Sequence, residues 1–404
     1  MTPRYARSSG RSTTDSARAD PARIKVAVVG LGKMGLSHLA IARTHPDVEL
    51  AAVCDSSSYV LGVLEKYTGV TGFSDYEKML DAADPDAVII ATPSRTHASM
   101  VRTALSRGKH VFCEKPFVLD SREGEALVAL ARSRGVVTQV GYHNRFVGAF
   151  QEAKSLLDAG AIGTVTHALG EAYGPVVTRP KGSTWRSRKE EGGGCLYDYA
   201  AHPIDLVTWY LGEPVGVGGT VLNRIFSRET EDEVFSTLHL PGDSTAQISV
   251  NWSDASYRKM TTRVTLWGTA GRIYVDRQEI QVFLRDEGTQ PPAGYGPGWN
   301  VRYTTDLTVP VWFYLRGEEY SAQIHHFVRA VKAGRPVDGF ASALVTDRVI
   351  EMLVADAAKG PSTQAERIQV KPAARWARSR RPRLRRIASH LDRASARVPA
   401  RRQS

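Results

Sequence analysis

The apolar run Ile24 to Val29 leads straight into Gly30-Leu31-Gly32-Lys33-Met34-Gly35, and Asp55 follows twenty residues after the last of these glycines. A strand, a glycine turn and a helix in that order predict a βαβ unit with a dinucleotide site. The first glycine permits the tight turn, the second lets backbone approach a pyrophosphate, and the third lets helix pack on strand. The helix opening near Lys33 would aim its unpaired amides at the phosphates. Glycine turns after strands are common, so the weight rests on their combination with the strand, the helix and the spaced carboxylate. Asp55 would accept hydrogen bonds from both ribose hydroxyls and repel a 2′-phosphate, and Ser56, Ser57 and Ser58 bring no cation to neutralise one. NAD is therefore expected over NADP.

From Ile24 the chain alternates short apolar runs with helical patterns, as a parallel α/β sheet requires. Strands are expected at Val48–Cys54, Ala87–Ala91, His110–Cys113 and Val136–Val140, and helices near Tyr59–Tyr67, His97–Arg107 and Ser121–Arg134. Ser74 with Glu77 three residues on predicts a capping box at a further helix. After Gly141 the pattern changes. One helix near Gln151–Ala159 precedes period-two runs at Val165–Tyr173, Val234–Leu240, Ala246–Trp252, Thr262–Trp267 and Arg272–Asp276, which predict a largely antiparallel sheet. Pro291 to Gly298 reads as a loop, and helices at Tyr320–Ala333 and Ala341–Lys359 are expected to return to the first domain. The fold expected is an N-terminal Rossmann doubly wound parallel sheet plus an α+β C-terminal domain with a large, mainly antiparallel sheet. Its boundaries are 1–22 disordered and basic, 23–142 nucleotide-binding, 143–370 substrate and oligomerisation, and 371–404 an Arg-rich tail.

The net charge of +11 over 404 residues looks like a nucleic-acid signal until it is partitioned. Residues 371–404 hold one Lys and eleven Arg against one Asp, residues 1–23 are +3, and residues 24–370 sum to −3. A near-neutral body with basic ends does not resemble a DNA-reading face. The tail reads as a solvating segment, with contact to anionic membrane or nucleic acid as the alternative. Cys54, Cys113 and Cys195 lack paired CxxC spacing, which argues against a disulfide framework or zinc site and for a cytoplasmic protein. No apolar run approaches the roughly 20 residues that span a bilayer.

Thr92-Pro93-Ser94 and Glu114-Lys115-Pro116 each follow a predicted strand, and loops at carboxyl ends of such strands are where ligands bind. Lys115 is thereby placed near the nicotinamide, where its ammonium could polarise a substrate oxygen; the alternative is a lysine in an exposed turn. Farther on, Gly192-Gly193-Gly194 precedes Asp198 and His202. On a helix these two share one face at i and i+4, an acid/base pair in which the carboxylate raises the proton affinity of the imidazole. A helix-capping Asp with a core His is the alternative, and a metal pair lacks a third ligand cluster, so no metal is expected.

These three motifs, in this order, resemble the Gfo/Idh/MocA oxidoreductases, whose members include inositol, glucose–fructose and sugar-nucleotide dehydrogenases. The resemblance spans about residues 24–370 and extends to Leu266-Trp267-Gly268-Thr269-Ala270-Gly271. It implies Lys115, Asp198 and His202 as the catalytic set, with His202 exchanging the proton and Asp198 supporting it. It implies Gly30 to Gly35, Asp55, Thr92, Pro93, His97, Glu114 and Lys115 as the cofactor site. Asn144, Arg145, Tyr173, Trp185, Arg186 and Tyr199 fall where the substrate region is expected. One departure is Ala200, where the family often has Gly before its His. The resemblance implies an NAD-dependent dehydrogenase acting on a CH–OH carbon of a sugar, cyclitol or sugar nucleotide, working as a homodimer or homotetramer. A redox-mediated NAD-dependent glycosidase and a non-catalytic NAD-binding regulator are the rival readings.

Overall fold

The computed structural model describes residues 23–178, 184–286, 291–335 and 337–360. The readings made for residues 1–22 and for the tail 371–404 lie outside these residues.

The first lobe runs β1 (Ile24–Val29), α1 (Lys33–Thr44), β2 (Val48–Cys54), α2 (Ser58–Thr68), β3 (Gly72–Phe73), α3 (Tyr76–Ala83), β4 (Ala87–Ile90), α4 (His97–Ser106), β5 (His110–Cys113), α5 (Ser121–Arg134) and β6 (Thr138–Val140). Its six strands are all parallel in the order β3-β2-β1-β4-β5-β6. Strand order reverses between β1 and β4, which opens a crevice at their carboxyl ends. All four residues of β4 are buried, as a parallel strand covered on both faces demands. Asp75, not Ser74, caps α3, accepting from the Lys78 amide at 2.9 Å. The Asp carboxylate one residue later reaches that amide, so the expected capping box at Ser74 does not form.

The second lobe contains α6 (Gly148–Asp158), β7 (Val165–Tyr173), α7 (Ala201–Leu211), β8 (Gly216–Asn223), β9 (Glu233–His239), β10 (Thr245–Asn251), β11 (Arg263–Gly268), β12 (Gly271–Asp276), β13 (Glu279–Leu284), β14 (Gly298–Tyr303) and α8 (Thr304–Leu307). Its eight-stranded sheet has the order β14-β13-β12-β11-β7-β10-β9-β8, antiparallel throughout except where β10 pairs parallel with β7. Strands β8, β13 and β14 were not anticipated; three glycines in β8 hide its alternation, and β14 begins at the end of the Pro/Gly-rich loop. Inward side chains such as Ile273, Val275, Ile280 and Val282 are fully buried, and α6 and α7 lie against that face.

Two last helices join the lobes. Helix α9 (Glu318–Lys332) packs along α1, sharing a core through Ile324, Phe327 and Val328 with Val26, Val28 and Phe112. Helix α10 (Gly339–Ala358) touches α5 and β6 on one side and α7 and β8 on the other. A second core runs unbroken from Val29 and Ile90 to Ile248 and Val264, so the two lobes share buried apolar surface. No helix among the described residues is long and apolar enough to cross a membrane.

Candidate active site

The glycine turn sits at the reversal of strand order. Gly30 has φ +83°, and a Cβ there would lie 2.8 Å from the Ala91 backbone. A Cβ at Gly35 would lie 1.6 Å from the Gly30 carbonyl oxygen, so only glycine lets α1 come this close to the turn. A Cβ at Gly32 would meet nothing within 4 Å. There α1 starts without a side-chain cap and with no acidic residue in its first turn, leaving its amides open to an anion. Asp55 braces the turn: Oδ2 accepts from the Leu31 amide at 2.5 Å and Oδ1 from the Ser57 amide at 2.8 Å. Met34 is partly buried against the core and Lys33 begins the helix. This cradle fits a dinucleotide pyrophosphate.

Beside it, the loops after β4 and β5 are tied together by His97. Its buried ring meets the Pro116 carbonyl at 2.8 Å and the Thr92 carbonyl at 3.0 Å, and burial lowers its pKa. His97 therefore supports the loop and offers no free ring nitrogen to a ligand. The Thr92 hydroxyl accepts from Thr96 at 2.8 Å, and Pro93 is exposed. Glu114 meets His38 Nε2 at 2.6 Å and accepts from the Lys115 amide at 3.2 Å. Burial pushes the Glu114 carboxyl up, but the His38 hydrogen bond and charge, with Lys115, hold it below the usual range.

Lys115 reaches across to the second lobe. Its Nζ donates to the Asp198 carbonyl at 2.9 Å, to Asp198 Oδ1 at 3.2 Å and to the Tyr197 carbonyl at 3.4 Å. Arg186, stacked on Trp185 with its guanidinium carbon 4.7 Å from the ring centre, donates to Asp198 Oδ2 at 2.8 Å. Burial alone would raise the Asp198 pKa; the charges and hydrogen bonds of Lys115 and Arg186 hold it down.

The expected Asp198–His202 pair does not form. Residues Leu196–Ala200 make a π-helical turn before α7, and both Asp198 carboxylate oxygens are taken by cations, Oδ1 by Lys115 and Oδ2 by Arg186. His202 is buried, its Nδ1 has no partner among the described residues, and its pKa lies well below the ordinary value because of burial first and then Lys115 and Arg277. The carboxylate expected to raise its basicity instead holds the lysine. Ala200 is fully buried inside the π turn.

Several partners carry little or no sequence signal. His143 lies with its ring centre 5.1 Å from that of His202 and stacks on Tyr320 at 4.7 Å. Arg277, in the turn between β12 and β13, meets His143 Nε2 at 3.2 Å and pairs with Glu319. Burial, then His202, Arg277, Lys115 and Arg316, lowers the His143 pKa well below normal. Asn144 is 1% exposed with both side-chain amide atoms unpartnered among the described residues, a cost of about 1–3 kcal/mol per atom unless a ligand or water meets it.

Three of the residues expected to line the substrate, Arg145, Tyr173 and Tyr199, meet protein partners in the structure. Arg145 forms a bidentate ion pair with buried Asp205 at 2.9 and 2.6 Å and donates to Ser342 at 2.7 Å, so its guanidinium is spent on structure. Tyr173 hydrogen-bonds Glu171 and Ser249, and the strand's alternation turns it to the face opposite α7. Tyr199 is buried behind the π turn, edge-on to Trp252.

Two family models match: an oxidoreductase family with an NAD-binding Rossmann fold over residues 24–142, and the GFO/IDH/MocA C-terminal domain over residues 150–274. The chain belongs to the Gfo/Idh/MocA family. It is 28% identical to the NAD(+)-dependent scyllo-inositol 2-dehydrogenase of Bacillus subtilis over 78% of this chain and 87% of that one. It is 31% identical to dTDP-3,4-didehydro-2,6-dideoxy-alpha-D-glucose 3-reductase of Streptomyces antibioticus over 61% of this chain and 75% of the relative. In fold it resembles levoglucosan dehydrogenase solved with NADH and levoglucosan, with TM-score 0.73 at 24% identity, covering 83% of this chain and 98% of that one. As a Gfo/Idh/MocA enzyme it is an NAD-dependent dehydrogenase, and the open cradle at Gly32 is where its own backbone suits the cofactor's phosphates. No cluster of three metal-ligating side chains occurs among the described residues.

Proposed function

We propose that this enzyme oxidises a secondary hydroxyl on the ring of a sugar, cyclitol or sugar nucleotide, or reduces the corresponding ketone, with Lys115, Asp198 and His202 as the working set. The observation that carries it is the meeting of a first-lobe ammonium with a second-lobe carboxylate beside a neutral, buried imidazole. Bound NAD supplies the hydride acceptor in oxidation and NADH the donor in reduction. The chain's own residues handle the proton. His202 has Nδ1 sealed in protein, so Nε2 is the nitrogen left to take the hydroxyl proton. Being neutral at physiological pH, it is ready to act as base. Lys115 has three donors on three protein oxygens, and the longest contact, to Tyr197, is the one a substrate oxygen would replace. Asp198 holds that ammonium in place through its carbonyl and Oδ1.

A panel of cyclitols, sugars and sugar nucleotides followed by NADH absorbance tests this reading. Lys115→Ala and His202→Ala are each expected to bind NAD while losing about 100- to 10,000-fold in turnover; unaltered turnover in both would refute the assignment. NADH accumulation separates net oxidation from redox-assisted glycoside cleavage, which would release sugar without it. The face of the eight-stranded sheet that no other described element covers, bearing Phe235, Phe283 and Trp299, supports a homo-oligomer contact, to be read by sedimentation. Three free buried cysteines suit a reducing compartment such as the cytoplasm.

A further inference from the structure

His143 is the group that the mechanism above leaves without a task. It stands next to His202, and its surroundings are unusually specific for a residue with no assigned role. One ring face stacks on Tyr320 of α9, inclined by 17°. Its Nε2 faces Arg277 Nη1 at 3.2 Å. A guanidinium has donors only, so Nε2 must be the acceptor, and in a neutral imidazole the proton then sits on Nδ1. Arg277 is itself held by Glu319, the second residue of α9. Nδ1 of His143 has no hydrogen-bond partner among the described residues and is not among the sealed, unpartnered atoms.

We propose that His143 is a second imidazole of the reacting site, fixed by Arg277 in its Nδ1–H tautomer so that it donates to a substrate oxygen beside the one that His202 serves. This rests on the reading of His202 as the base. The two rings then present opposite hydrogen-bonding characters side by side, an acceptor on His202 and a donor on His143. A vicinal diol matches that arrangement: the reacting hydroxyl gives its proton to His202, and the neighbouring oxygen accepts from His143. Arg277 acts through His143 and is a positioning residue. The groups facing His143 are Arg277 from the β12–β13 turn, Glu319 and Tyr320 from α9, Arg316 just before it, His202 from α7 and Lys115 from the loop after β5.

The test uses the full chain with bound NAD and 15N-labelled histidine, with the His143 signals assigned by their loss in His143→Gln. Wild type is expected to show His143 protonated on Nδ1 alone and neutral between about pH 6 and 8. The Arg277→Gln/Glu319→Gln double variant, which keeps that pair uncharged, is expected to show mixed tautomers; Arg277→Lys keeps a charge and a donor and is expected to retain the wild-type state. An Nε2–H tautomer in wild type, or an unchanged tautomer in the double variant, overturns the proposal. On a substrate found by the panel, His143→Phe is expected to lose about 100-fold in kcat/KM while His143→Gln, which keeps an N–H donor, stays within about tenfold. Equal losses in the two would assign the ring to packing. If the panel yields no substrate, the proposed function fails while the tautomer measurement still decides this inference.

Discussion

Six consecutive residues make the glycine turn, whereas the cleft around His202 draws Lys115, His143 and Arg277 from three other stretches of the chain. The turn works through absence: no Cβ at Gly30 or Gly35, no side-chain cap on α1, and open space where a Cβ at Gly32 would sit. The cleft works through accumulation, with burial and two cations acting together on two imidazoles. A site made of adjacent backbone depends on the close approach of a few backbone atoms, those of Gly30, Gly35 and Ala91. A site made by convergence depends on every contact that holds the lobes in register.

The largest effect is expected in the turn. Gly35→Ala would put a Cβ against the Gly30 carbonyl, costing more than about 2 kcal/mol and abolishing NAD binding. Gly32→Ala has room and is expected to keep the wild-type Tm while weakening NAD binding; thermal shift and NAD titration of both variants separate the roles of the two glycines. If both lose stability equally, the open cradle at Gly32 is misread.

For the convergent site, Asp205→Ala leaves the Arg145 charge buried and unpaired between the lobes, with an expected loss of about 3–5 kcal/mol in urea unfolding. A loss below about 1 kcal/mol would show that the clamp carries little of the join.

Acid sensitivity should divide the two regions next. His143 and His202 have folded pKa values well below normal, so below about pH 6.5 the unfolded chain takes up protons that the folded chain refuses. Stability is therefore expected to fall as pH drops through that value, by about 1.4 kcal/mol per group and pH unit. His143→Phe should flatten the dependence of the urea midpoint between pH 7.5 and 5.5, and Gly32→Ala should leave it unchanged. The smallest contrast lies at α3, where Asp75→Ala is expected to cost about 1 kcal/mol and Ser74→Ala almost nothing by the same unfolding assay.

Much of the first lobe was legible because its signals are periodic and local. Val48–Cys54, His110–Cys113 and Ser121–Arg134 occur where the apolar pattern placed them, since periodic apolar residues bounded by charged residues or glycine leave the chain few choices. Strand β8 was not, because three glycines erase the alternation and the strand is held by its neighbour β9. The π turn at Leu196–Ala200 was invisible for a different reason: a helical period of 3.6 was the natural assumption, and one wider turn reassigns every later side chain. Nothing around Arg277 marked it as the partner of a histidine more than a hundred residues earlier.

By itself the amino-acid sequence determined the dinucleotide turn, the parallel sheet that carries it and the three motifs that announce the family, because each of these is written in neighbouring residues. Tertiary structure alone decided that Asp198 serves Lys115 and not His202, that Arg145 is consumed by Asp205, and that His143 faces His202. Those choices follow from which charges meet when two lobes close on a shared core, and pairing energies between distant groups leave no periodic trace in the chain.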